Sequence, residues 1–238
     1  MSHFVRIKHT IRFTAILLLT LYFGVILALN IPFVQRKLSI IASNELSKLF
    51  RTEVSIGNID LGLLNRVIIS DLQVKDQAGA DLLLIPRFSA KIDIPALSQQ
   101  KIRINSVQLF GLEARLQKTS PTSKPNFQFI IDALASKDTV KKENKIDLRI
   151  NSILIRRGHV SYDVLTAPPT PGKFNANHLN ISDLSAMLSL KALTSDSINA
   201  HIRRMSFTEH SGFQLKQLSV GVMANRHSLR TMKFTLEL

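Results

Sequence analysis

Cysteine and tryptophan are both absent from the 238 residues, and tyrosine occurs only twice. A chain without thiols has neither structural disulfides nor thiolate metal sites. With aromatics at 6%, little is available to stack nucleobases on. Acid is also scarce: 17 Asp and Glu stand against 31 Lys and Arg, for a formal charge of +14. Such a balance calls for an anionic partner, nucleic acid or lipid head groups, and the poverty in aromatics disfavours nucleic acid. Seven histidines are present, none at metal-ligand spacing, and His159 reads as a surface or strand-edge residue. No nucleophile elbow, phosphate loop or dinucleotide-binding glycine run occurs. No pair of acids stands out as acid and base. The expectation is a protein that is not an enzyme and uses no cofactor and no metal.

One long apolar run is present. Residues Phe13 to Val34 carry no charge, and about 20 apolar residues suffice to cross a ~30 Å hydrocarbon layer as a helix. A cleaved signal peptide is the rival reading, but its apolar core is about 7–15 residues. The chain therefore divides into a cytoplasmic head (1–12), a transmembrane anchor (13–34), a juxtamembrane amphipathic helix (35–52) and a β domain (53–238). Arg6, Lys8 and Arg12 precede the run while Arg36, Lys37, Lys48 and Arg51 follow it. The charge rule is nearly balanced, and the short head beside a long tail places the N-terminus inside. Within 35–52, Leu38, Ile41, Leu46 and Leu49 fall near helical spacing. That helix either lies on the head groups or caps the domain that follows.

From Val54 the apolar period becomes two, the mark of half-buried strands. A unit recurs in which apolar residues alternate, slip by one at a polar pair, and alternate again. The polar pairs are Gly57-Asn58, Ser70-Asp71, Asn105-Ser106, Asn151-Ser152, Ser182-Asp183 and Lys216-Gln217. The tetrapeptide RINS frames two of them, at Arg103 and at Arg149. An uninterrupted strand would turn its apolar set to the other face at the slip. A bulge keeps one face, and a two-residue hairpin is the alternative at Gly57-Asn58 or Ser70-Asp71. Two insertions interrupt the pattern. Lys118 to Pro125 leads into a short helix with Asn126 as cap and Phe127, Ile130, Ile131 and Leu134 as its stripe. Thr166 to Asn175 is a proline-rich excursion. The fold class is thus mostly β with an N-terminal transmembrane helix, an elongated, curved sheet and one or two short helices.

The order of parts (anchor, basic amphipathic segment, VSIGNIDLGLLNRVIISDLQVKD, LLLIPRFSAKIDIPALSQQKIRINSVQLFGLEARL and NFQFIIDAL) resembles the N-terminal portion of AsmA-like proteins of the TamB branch. The likeness is clearest over Val54–Leu134 and extends more loosely through Phe207–Val222. It implies an inner-membrane protein of a Gram-negative bacterium with its bulk in the periplasm. It also implies a U-shaped β groove that passes phospholipid toward the outer membrane, with an outer-membrane barrel protein as a possible partner. The alternative it leaves open is an assembly factor that pairs its sheet edge with client strands. Relatives of this type are far longer, so the expectation is an N-terminal piece of a larger protein. Ile104, Val107, Leu109, Ile150, Ile153 and Ile155 are the candidate lipid-groove residues, against the plainer alternative of a closed core.

Overall fold

The computed structural model describes residues 2–62, 65–93, 103–134, 149–193, 197–225 and 228–238. Two helices open the chain, α1 (Ser2–Leu29) and α2 (Pro32–Phe50). Within α1, Ile11–Ala28 is long and apolar enough to cross a membrane, and none of it is buried in the protein. The helices part at Asn30-Ile31, so Pro32 to Val34, which the hydropathy joins to the apolar run, open α2 instead. Proline at the start of α2 fits because a first-turn residue needs no amide donor.

The rest is one eleven-stranded sheet. Its strands are β1 (Val54–Ser55), β2 (Asn58–Gly62), β3 (Arg66–Lys75), β4 (Asp81–Ile92), β5 (Arg103–Phe110), β6 (Glu113–Lys118), β7 (Arg149–Val164), β8 (His178–Leu193), β9 (Ser197–Glu209), β10 (Gln214–Asn225) and β11 (Leu229–Glu237). A short helix, α3 (Gln128–Leu134), lies between β6 and β7. The main path runs β1-β3-β4-β5-β7-β8-β9-β10-β11. β1 and β2 both pair antiparallel with β3, so they form one broken line rather than a hairpin at Gly57-Asn58. β3 likewise runs unbroken through Ser70-Asp71, and no hairpin forms there. β5 and β6 form a second broken line, and both pair parallel with β7. A parallel pair needs a crossover connection, and α3 belongs to that crossover.

Most of the sequence slips coincide in space. Apolar spacing lengthens to three between Ile56 and Ile59, Ile69 and Leu72, Ile85 and Phe88, and Leu109 and Leu112. The registers β1–β3, β2–β3 and β3–β4 pass this level unshifted, because neighbouring strands slip together. Asp71, Arg157 and Asp183 take left-handed backbone conformations on this line, with φ of 54°, 54° and 52°. Gly111 adopts φ 70° there, beside the Pro86 ring. Farther along, the slips become register shifts, between Ser182 and Ser185 in β8 and between Leu215 and Leu218 in β10. The result is a transverse crease, and the same apolar face continues on both sides of it.

The RINS copies lie off this crease. Arg103 pairs with Arg149, Ile104 with Ile150 and Ser106 with Ser152, so the repeated tetrapeptide is its own parallel neighbour. Opposite β4, the register shifts between Lys91/Ser106 and Ile92/Ile104, leaving Asn105 as the bulged residue. Ile102 and Leu148, which complete the apolar alternation, lie outside the described residues.

The core sits under the helices. Leu38, Ala42, Leu46 and Phe50 of α2 pack on a cluster containing Val54, Ile56, Leu72, Val74 and Ile85. α2 therefore caps the sheet, the second of the two readings for that segment. α3 buries Phe129 and Ile130, with the Phe129 ring edge-on to Phe50 at 6.2 Å, while Ile131 is exposed. The expected stripe of Phe127, Ile130 and Ile131 is corrected accordingly. Asn126 does not cap the helix either. Its amide accepts from the Gln117 N–H at 3.0 Å and donates to the Arg115 carbonyl at 3.1 Å, holding the loop to β6 instead.

Candidate functional site

Register pairs define rows of side chains on one face. One row runs Ile59, Ile69, Phe88, Leu109 and Ile155. It continues through Ala186, Met205, Leu218 and Leu236 to the last strand, apolar at every step. The next row on that face runs Leu61, Val67, Ala90, Val107 and Ile153, then Leu188, Ile202 and Val220. The opposite face is mixed: Arg66, Lys91, Ser106, Ser152, Ser189 and His201 share one row, while Ile68, Leu154 and Met187 interrupt another.

All six candidate groove residues fall on the apolar face, as three neighbouring pairs: Ile104 with Ile150, Val107 with Ile153, Leu109 with Ile155. Val107 is buried, and Leu109 and Ile155 pack against the cluster beneath α2 and α3. Ile104, Ile150 and Ile153 are half-buried. The six thus straddle the border between closed core and open face. The helices contact β1 and β2, and the core cluster reaches no farther than β7. Over β8–β10, Leu188, Ile202, Met205 and Leu218 remain half-buried with no helix above them.

The face is partly closed at the end away from α1. The loop between β7 and β8 carries Phe174 to within 5.2 Å of the Phe213 ring, which lies 6.1 Å from Phe207. The base of this loop is pinned by His178, whose ring nitrogens sit 2.9 Å from the Asp163 carboxylate and 2.9 Å from the Ala167 carbonyl. Two acceptors favour the imidazolium, so the hydrogen bond to Asp163 and then that to Ala167 raise the His178 pKa above its usual value. Glu209 braces the turn after β9. Burial pushes its carboxyl up, but hydrogen bonds from the Ser211 hydroxyl and from the amides of Ser211 and Asn180 outweigh this and hold it low.

The other end is tied to the membrane helix by side chains that sequence patterning passes over. Asn30 donates to the Leu61 carbonyl at 2.9 Å and accepts from the Leu61 N–H at 3.2 Å. Gln35 donates to the Asp60 carboxylate at 2.6 Å. A lone asparagine after an apolar run gives no signal of a partner 31 residues away. Among the described residues, no three His, Cys, Asp or Glu cluster in a way that could hold a metal ion. His159 is exposed on β7. No protein-family model and no curated protein matches the chain.

Proposed function

We propose that this chain is a membrane-anchored carrier of phospholipid, sited in the inner membrane of a Gram-negative envelope with its sheet in the periplasm. One observation carries the reading: the apolar rows run unbroken to β11, yet helices cover them only as far as β7. An uncovered apolar face on a tethered sheet suits acyl chains. Each buried methylene contributes about 0.8 kcal/mol, so many weak contacts hold a chain that can still slide. The basic charge and the resemblance to AsmA-like proteins support the same partner.

The test is site-specific photocrosslinking in cells. Probes at Leu188, Ile202 and Met205 are expected to capture phospholipid, with capture declining through Ile153 toward the helix-covered Leu109. A folded chain that captures no lipid at any of these positions rules the carrier out.

A second reading rests on β11. It pairs with β10 alone, all nine of its positions are exposed, and one backbone edge is open. An open edge can receive a client strand. An assembly factor of this kind gives protein adducts concentrated on β11 in place of lipid adducts on β8–β10.

A further inference from the structure

The ends of the sheet differ in how their charges are arranged. Ion pairs among the described residues are Glu45–Lys48, Glu53–Lys75, Asp81–Arg115 and Asp163–His178. All four lie toward the end where α2 finishes, β3 turns into β4 and the loop between β7 and β8 projects. The opposite end holds the α1–α2 joint, fixed by Asn30 to Leu61 of β2. There Arg66 and Lys91 are exposed register neighbours on adjacent strands, with no ion pair among the described residues. Like charges placed side by side on a sheet repel. Arg36 and Lys37, in the second turn of α2, are exposed as well, and Lys37 lies 4.7 Å over the outward-facing Phe33 ring.

From this asymmetry we infer that Arg36, Lys37, Arg66 and Lys91 form a rim that docks on the anionic phospholipid head groups of the membrane that α1 enters. Three features point to that occupant. The rim cations lack protein counter-charges while the distal cations have them. The Asn30 clamp places the rim at the last turn of the apolar helix. Phe33 and Ile40, 66% and 54% exposed beside these cations, add the apolar contacts an interface takes up. The docked rim fixes the orientation of the sheet on the bilayer, which α1 alone leaves free to swivel. The inference rests on α1 crossing a bilayer and is independent of what the apolar face carries.

The chain has no cysteine, so Ser106→Cys, the register neighbour of Lys91, accepts a single fluorophore, and Thr122→Cys on the distal side serves as control. The full chain is reconstituted into phosphatidylcholine vesicles with or without phosphatidylglycerol, and an alkaline wash with flotation establishes insertion. A quencher carried on lipid head groups is expected to reach the Ser106 label when phosphatidylglycerol is present, and far less in its absence. Salt near 0.5 M weakens the effect. Arg66→Gln and Lys91→Gln each lower the docked-to-free ratio about fivefold, while thermal unfolding of the variants stays unchanged. The Thr122 label is indifferent throughout. Equal quenching in both vesicle types, or quenching that survives both substitutions, overturns the docking rim. A chain stripped off by the alkaline wash overturns the anchor and the rim with it. Neither result touches the crosslinking test of the apolar face.

Discussion

The Asn30 side chain occupies the open backbone edge of β2 at Leu61, donating to its carbonyl at 2.9 Å and accepting from its N–H at 3.2 Å. One amide group does there what a neighbouring strand would do, so an otherwise bare edge is closed at the point where the chain leaves its apolar helix. Asn30→Ala leaves both Leu61 groups to water and uncouples α1 from the sheet. A stability loss of about 1–2 kcal/mol is expected, with faster hydrogen exchange at the Leu61 amide. Asn30→Asp still accepts the N–H but cannot donate to the carbonyl, so it is expected to protect that amide better than alanine while leaving the clamp weakened. Exchange rates that ignore both substitutions would show that the clamp contributes nothing.

At the crease, Arg157 and Gly158 respond in opposite directions. Arg157 holds φ 54°, a conformation that costs a non-glycine residue roughly 1–2 kcal/mol. Arg157→Gly is therefore expected to raise stability by about 1 kcal/mol or slightly less, after glycine's greater unfolded-state freedom is counted. Gly158 is needed for space: an added Cβ would meet Ile155 Cγ2 at 3.2 Å and Leu184 Cβ at 3.3 Å. Gly158→Ala is expected to lose about 1–3 kcal/mol by overpacking. Urea titration of the two variants checks both signs together.

His178 makes the long loop sensitive to pH. Its folded pKa stands above 6.5, raised first by the Asp163 hydrogen bond and then by the Ala167 carbonyl. A raised folded pKa means the contribution is fully present below about 6.5 and is lost as pH climbs through the folded value. Protease cleavage within residues 165–177 is expected to be slow in mild acid and to accelerate above neutrality. His178→Gln flattens that profile. A cleavage rate independent of pH in the unaltered chain would count against the pin.

Much of this architecture is written in the chain. The charge-free run announces α1, the change of period from helix to strand falls at Val54, and the slips at Gly57, Asp71, Asp183 and Lys216 mark the crease. The same slip runs through Ile85/Phe88 and Leu109/Leu112, but Pro86 and Gly111 stand there in place of an obvious polar pair and hide it. RINS reads as a joint, and Asn105 is indeed a bulge, yet its parallel pairing with the second copy is invisible locally. A parallel neighbour supplies the same surroundings to both copies, which is reason enough for similar residues. Asn126 shows the opposite failure: a cap-like residue before a helix is diverted to β6 by partners nine and eleven residues back. Local pattern registers what a residue prefers, and long-range hydrogen bonds decide which preference is used.

Stability and lipid capture are expected to separate along a single apolar face. Leu72 is buried in the cluster under α2, so Leu72→Ala opens a cavity and is expected to cost about 2–5 kcal/mol. Met205 belongs to the same apolar face but is half-buried on β9, beyond the helix-covered part. Met205→Ala leaves little cavity, and a cost of about 1 kcal/mol or less is expected from area alone. Pulse proteolysis in detergent measures both. If the uncovered face carries acyl chains, Met205→Asp lowers phospholipid crosslinking at Leu188 and Ile202 while the folded fraction holds, because a charge in the path of a methylene chain must be desolvated. A Met205→Ala loss as large as that of Leu72→Ala would mean the face is closed in solution, and the carrier reading would fall with that result.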